Sequence, residues 1–516
     1  MALWRSTVIV SAMTMLSRVL GLVRDVVLLN VFGAGKDFDT FVVAFRIPNF
    51  FRRLFAEGAF SQAFIPVLTE YKTGRAHAEV QILISRVFGC LLTAMSLLTF
   101  IAMVAAPAII YIYAPGFHND PAKFELAVDL FRLTIPYLMF MSLTAFASSI
   151  LNSYGSFASP AFSPVLLNIA MIAGAWWLTP YMAQPIMALG WSVVAAGILQ
   201  LAIQIPELWK KNLLIPPKVD FKHEGVDRIL KLMLPALFGV SVTQINLLLN
   251  TIWASFMQDG SVSWLYSAER MTELPLGLIG VAIGTVILPS LSARHAEQDQ
   301  AKFRGMIDWA AKVIILVGIP ASIALFMLST PIIQALFQRG EFTLQDTQMT
   351  ALALQCMSAG VIAFMLIKVF APGFYAQQDT KTPVRVGLMA VAANAILNVI
   401  FIGFFKLIHW QAEHMALAMA SSGSALVNAG MLYFYLHKRN IYRFGAHWKK
   451  LAVQYAIANI SMIIALWYAL SWYQGDISQW LRIAEVVGLC VVGVVAYGIG
   501  LLATGFRPRH LKHHDA

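Results

Sequence analysis

The chain has 516 residues, of which 59% are hydrophobic and only 12% charged, and its mean hydropathy is +0.71. A soluble fold of this length has too little interior to bury so much apolar surface, so lipid must solvate a large part of it. The formal charge of +11 falls mostly in short connections between apolar runs, where basic residues orient helices rather than bind nucleic acid.

A helix needs about 20 apolar residues to cross the hydrocarbon core, and about fourteen stretches meet that need. In chain order they are 7–32, 37–56, 80–113, 124–152, 159–181, 185–207, 228–257, 263–292, 306–337, 349–376, 383–405, 415–436, 450–472 and 482–505. The first imitates a signal peptide, yet Arg18, Arg24 and Asp25 interrupt its apolar run and no small-residue cleavage site follows. It reads as a retained helix. The run 57–72 is too short and too punctuated for a span and reads as a continuation of the second helix. Cys90, Cys356 and Cys490 each lie inside an apolar run, which points to packing rather than to a disulfide framework or a zinc site.

Lys and Arg concentrate in alternate connections: Lys72 and Arg75; Lys210, Lys211, Lys218 and Lys222; Arg294, Lys302 and Arg304; Lys381 and Arg385; the cluster 438–450; and the tail Arg507, Arg509 and Lys512. The other connections hold little beyond Lys36, Lys123, Arg339, Lys406 and Arg482. That asymmetry, roughly four to one, places both termini in the cytoplasm.

An internal repeat divides the chain. Residues 59–69 (AFSQAFIPVLT) align with 282–292 (AIGTVILPSLS) at an offset of 223, and the same offset pairs Ser159-Pro160 with Thr382-Pro383 after turns containing Tyr154 and Tyr375. Met187-Ala188-Leu189 and Met415-Ala416-Leu417 match at a slightly larger offset. The expected architecture is an all-α polytopic membrane protein with two pseudo-symmetric six-helix lobes around a central cavity. The lobes cover 1–209 and 223–440, an extended polar linker spans 210–222, and 441–516 holds a final helix pair and a basic tail. Six helices per lobe make these parallel repeats, an arrangement that puts a substrate between lobes that rock against each other.

Neither HExxH nor a Walker sequence is present; Gly33-Ala34-Gly35-Lys36 is followed by Asp37 and lacks the upstream glycine spacing. The stronger signal is charge inside the spans, which costs about 2.5 to 3.5 kcal/mol per residue at the bilayer centre. The first helix carries Arg18, Arg24 and Asp25; the second carries Arg46, Arg52, Arg53 and Glu57 around Pro48 and Asn49; the eighth carries Glu269, Arg270 and Glu273. Arg18 and Asp25 share a helical face, whereas Arg24 lies about 120° away, so the two arginines line one cavity only if it is wide or the helix bends near Gly21. Arg270 and Glu273 are spaced to pair. Guanidinium forks make bidentate bonds to phosphate and stay charged when desolvated, so an arginine-rich cavity predicts a phosphate or pyrophosphate ligand. Asp25, Asp39, Glu57, Glu269 and Glu273 are the acids that would neutralise these arginines or act as gates. Asp39, at the outer end of the second helix, is the best placed gate, with a helix cap as the equal alternative.

The segments MTMLSRVLGLVRD (13–25), FRIPNFFRRLFAEGAFSQ (45–62) and SAERMTE (267–273), together with APGFY (371–375) and DTKTP (379–383), resemble the MurJ (MviN) flippases of the MOP superfamily, which includes the MATE exporters. The resemblance runs over essentially the whole chain. It implies no enzyme but a transporter that moves lipid II, the undecaprenyl-pyrophosphate-linked peptidoglycan precursor, across the bacterial inner membrane by alternating access. It further implies that Arg18, Arg24, Arg52 and Arg270 bind pyrophosphate, that Asp39 and Glu273 serve the gates, and that the last two helices form an apolar groove for the lipid tail. Position 269, commonly Asp in the family, is Glu269 here. No cofactor is expected; the coupling ion or potential stays open, as does binding of cell-wall synthesis proteins to the basic loops. A monomer in contact with membrane lipids is expected. Two alternatives remain: a flippase for another lipid-linked oligosaccharide, and a MATE-like drug antiporter, which would favour acids over arginines.

Overall fold

Within a bilayer each backbone N–H and C=O must be satisfied inside its own segment, which helices achieve. The computed structural model describes residues 2–54, 60–277, 281–475 and 477–507, and among them there is no strand. Among the described residues, ten helices or joined helix pairs are long and apolar enough to cross a membrane. They coincide with the third to sixth and ninth to fourteenth expected spans. The other four expected spans, 7–32, 37–56, 228–257 and 263–292, are not among them, so the total of fourteen stands as an expectation.

Contacts divide the chain into two compact units, 1–263 and 264–516. Unit 1 contains α1 (Ala2–Phe32), α2 (Lys36–Leu54), α3 (Phe60–Gly74), α4 (His77–Val104), α5 (Ala106–Tyr113), α6 (Pro121–Thr134), α7 (Pro136–Ser153), α8 (Ala158–Ala173), α9 (Met187–Ala202), α10 (Ile205–Lys210) and α11 (Glu224–Ala254). Starting at the last residues of that unit, α12 (Ser261–Pro275) leads into α13 (Val281–Ala296), α14 (Gln300–Met327), α15 (Ser329–Phe337), α16 (Leu344–Tyr375), α17 (Lys381–Leu407), α18 (Met415–Lys438), α19 (His447–Leu470) and α20 (Gln479–Ala503).

Helix starts show how far the repeat extends. Those of α14, α15, α16 and α17 each fall 223 residues after the starts of α4, α5, α6 and α8. Local chemistry sets the ends. Asp120 caps α6 by accepting the Lys123 amide at 3.2 Å, and Pro136 restarts the chain as α7 at a position where a missing N–H costs nothing. The corresponding stretch of unit 2 has no such proline, and α16 runs unbroken from a capping box formed by Thr343 and Asp346.

Unit 1 is built around Phe60, Phe64, Leu83, Phe146 and Ile150, with Phe64 and Phe146 rings 5.2 Å apart. The segment after α10 runs extended along α4: the Lys218 amide donates to Ser85 O at 3.1 Å and the Ser85 hydroxyl to Pro216 O at 2.6 Å. This close approach requires Gly89, because a Cβ there would lie 2.3 Å from Lys218 O. α11 packs against α3 and α4 within the same unit, and Arg228 pairs with Glu70 at 2.8 Å.

Unit 2 centres on α16, which packs against α14 and α18 through Phe303, Ile307, Phe370, Phe374 and Leu436. The start of α19 and the segment before it join it through Asp308, which accepts from Trp448 Nε1 at 2.7 Å, Tyr442 Oη at 2.9 Å and His447 Nε2 at 3.1 Å, and pairs with Lys312. Between α14, α19 and α20 lies an apolar cavity of about 430 Å³ lined by Leu316, Pro320, Leu328, Leu466, Gly493 and Tyr497 among others. Cys490 lies on its wall, Cys90 is buried and accepts the Asp220 amide, and Cys356 is half-buried.

Candidate functional site

In unit 1 the charged residues of α1 separate by face. Arg24 and Asp25 are 5% and 3% exposed, and Arg24 donates to Asp25 Oδ1 through Nε at 3.0 Å and Nη2 at 2.6 Å. Its Nη1 donates to Asn168 Oδ1 on α8 at 3.0 Å, while Asn168 Nδ2 reaches back to Ser17 O. One asparagine thus fixes both the backbone of α1 and the guanidinium it carries. Arg18 is exposed, on a different face of the same unbroken helix. The structure pairs Asp25 with Arg24, its neighbour in sequence, because the long arginine stem curls back where ideal side-chain directions diverge.

On α2, Arg46 donates to Thr251 Oγ1 at 2.7 Å and Arg52 Nε to Asn49 Oδ1 at 2.8 Å; both arginines are half-buried. Glu57 and the side chain of Arg53 lie outside the described residues.

Asp39, 1% exposed, stands in the first turn of α2. It accepts from the amides of Gly260 at 2.8 Å and Ser263 at 2.9 Å and from the Ser263 hydroxyl at 2.5 Å. The carboxylate therefore serves the start of a distant helix, where free amides and the helix dipole favour an anion. Lys123, itself 4% exposed, lies 3.5 Å from Asp39 and 2.5 Å from Asp259.

Unit 2 carries the remaining expected residues on α12. Arg270 donates to Glu273 Oε2 at 2.9 Å and to Tyr266 Oη at 3.3 Å, with its guanidinium 5.2 Å from the Tyr266 ring centre. Glu269 is half-buried and Glu273 exposed. Among the described residues there is no cluster of His, Cys, Asp and Glu suited to a metal ion.

Several partners escaped sequence reasoning. Lys123 stands among the few basic residues of the sparsely charged set of connections, and that rarity is the one signal in the sequence that singles it out. Asn168, Asn49 and Thr251 are neutral and carry no charge penalty to flag them. Ser263 and Asp259 are ordinary turn residues until Asp39 and Lys123 are seen beside them.

Comparison with known proteins adds independent findings. The family model described as lipid II flippase MurJ matches residues 28–487. A probable lipid II flippase MurJ of Haemophilus influenzae is 45% identical, covering 97% of this chain and 99% of the relative. One from Vibrio cholerae is 44% identical over 99% and 98%. A solved lipid II flippase MurJ in an inward closed conformation superposes with a TM-score of 0.80 at 26% identity, covering 98% of this chain and all of the other. An inward-facing MATE family multidrug transporter shares the fold at a TM-score of 0.66 and 13% identity, covering 84% of this chain and 97% of that one.

Proposed function

The chain belongs to the lipid II flippase MurJ family, and from that membership we propose that it carries lipid II from the cytoplasmic to the outer leaflet of the inner membrane by alternating access. It is a multi-pass membrane transporter and not an enzyme. The basic connections support an orientation with both termini in the cytoplasm, and the repeat supports two six-helix lobes with a terminal pair.

The observation that carries the mechanism is Arg24, a guanidinium stored inside an apolar helix on Asp25 and Asn168. An arginine left alone in that environment would be costly, and an arginine bound irreversibly to its acid could not serve a ligand. A pyrophosphate offers more negative charge than one carboxylate and matches the planar donor fork, so it can compete for Arg24 while Asn168 keeps the side chain aligned. Arg18, exposed and one turn and a half away, together with Arg52 and Arg270, would complete the head-group binding set. Arg270 is held by Glu273 in a comparable way. Asp25, Glu57, Glu269 and Glu273 act as the acids released and regained in each cycle.

Asp39 would close the outer side by holding the 260–263 turn. The apolar cavity beside α19 and α20 would take the polyprenyl tail, which passes there from lipid by exchanging one apolar surround for another and is held by packing contacts. A MATE-like drug antiporter is disfavoured, since cationic cargo gains nothing from arginines.

The test is depletion of the protein in cells lacking another flippase, followed by labelling of lipid II from outside. Outward lipid II should vanish on depletion and return with the unaltered gene but not with Arg24→Ala. Undiminished outward lipid II after depletion would reject the proposal.

A further inference from the structure

At the Asp39 end of unit 1, two acids share one cation. Lys123 comes from the first turn of α6, and its ammonium lies 2.5 Å from Asp259 Oδ1, 3.5 Å from Asp39 Oδ2 and 4.3 Å from the centre of the Phe117 ring. Asp120, three residues earlier, pairs with Lys36 at 2.5 Å, and α2 packs extensively on α6. Two ion pairs, Lys36 with Asp120 and Asp39 with Lys123, therefore join α2 to α6.

The 259–263 turn is held differently. It gives two amides and a hydroxyl to Asp39 and the carboxylate of Asp259 to Lys123. If this turn withdraws, Asp39 loses three donors at once. A buried carboxylate stripped of its partners is strongly destabilising, and so is a buried ammonium. Lys123 answers both needs, because its flexible stem and rotatable donors let it leave Asp259 and close on Asp39 without leaving α6.

We propose that Lys123 is a positioning residue of the outer gate, a counter-ion that holds Asp259 when the gate is closed and passes to Asp39 when it opens. This rests on the reading of Asp39 as the gate. Asp259 is the partner exchanged: its side chain is 57% exposed, against 2% for Asp39, so water can solvate Asp259 once it is released.

The test uses a background in which Cys90, Cys356 and Cys490 are changed to Ser, with Val43→Cys as reporter. Val43 is fully buried on α2, one turn beyond Asp39. A charged, membrane-impermeant thiol reagent is applied to intact cells, membrane abundance is measured by blotting, and outward lipid II is measured in parallel. Asp259→Asn, which frees Lys123 for Asp39, should raise the labelling rate about tenfold, the equivalent of roughly 1.4 kcal/mol, whereas Lys123→Gln, which leaves Asp39 without a counter-ion in the open state, should lower it; both should slow flipping. The double variant should label as slowly as Lys123→Gln, because without Lys123 the change at Asp259 releases no counter-ion. Lys123→Arg, which keeps the charge, should restore labelling and flipping. If Lys123→Gln is lost from the membrane, Asp259→Asn, altered at an exposed site, carries the test. Unchanged labelling in both single variants while Asp39→Asn raises it would overturn the role of Lys123 and leave the gate reading intact. Unchanged labelling in Asp39→Asn as well would overturn both, and loss of outward lipid II from depleted cells would still report separately on flipping.

Discussion

Changing Arg24 and Asp25 separately and together distinguishes a residue kept for stability from one kept for transport. Arg24→Ala leaves Asp25, 3% exposed, without the guanidinium that gives it bonds of 2.6 and 3.0 Å, and leaves Asn168 Oδ1 without its donor from α1. Breaking a buried pair by removing one partner costs about 3 to 5 kcal/mol. Removing both charges avoids that penalty, so Arg24→Leu with Asp25→Leu should recover most of the lost stability. Thermal unfolding in detergent would follow stability and external labelling of lipid II would follow transport. The single variant should be unstable and inactive; the double variant should be stable and inactive. A double variant that flips lipid II normally would refute the argument that Arg24 is held in reserve for a pyrophosphate.

Other outcomes follow from specific contacts. Gly89→Val should push the 213–220 segment off α4, since even a Cβ would sit 2.3 Å from Lys218 O; trypsin cleavage after Lys218 would report the release, and unchanged protection would contradict it. Ala321→Trp should fill part of the apolar cavity beside α19 and α20 and slow flipping while head-group binding to the purified protein stays intact; normal flipping would remove the cavity from the tail path. Asp379 provides a pH signature. Burial alone would raise its pKa, but bonds from Thr382 and Arg439 outweigh it and hold the carboxyl at about 2, against 3.8 unperturbed. A depressed carboxyl stabilises above its unfolded pKa, so its contribution should be present near neutrality and lost as pH falls from about 4 to 2. Asp379→Asn should flatten that acid limb of the unfolding curve, and an unchanged limb would exclude Asp379 as its source.

Much of this was legible because lipid imposes simple rules. Apolar length gave the ten spans, and the repeat found in three short matches extends to helix starts spaced by 223 residues. Buried charge drew attention to Arg24, Asp25, Asp39 and Arg270. What stayed hidden was pairing. Helical angles set Arg24 and Asp25 on diverging faces, yet a flexible arginine bridges them. Asp39 suggested a cap, and it does serve a helix start, though one more than 200 residues away, where no local rule could place it. The extended linker was expected; its docking along α4 depends on one glycine that periodicity does not mark. Likewise α11, which the expected lobe boundary at 223 would assign to the second lobe, packs in unit 1, since similarity along the sequence does not dictate which surfaces a helix buries.

The most direct test of transport is reconstitution of the purified chain in vesicles containing lipid II labelled on its head group, with an impermeant reagent reading the outer leaflet. The account predicts protein-dependent exposure of the label, competed by other polyprenyl pyrophosphates and abolished by Arg24→Leu with Asp25→Leu. Exposure no faster than in protein-free vesicles, or export of an organic cation by the same preparation without movement of lipid II, would contradict it.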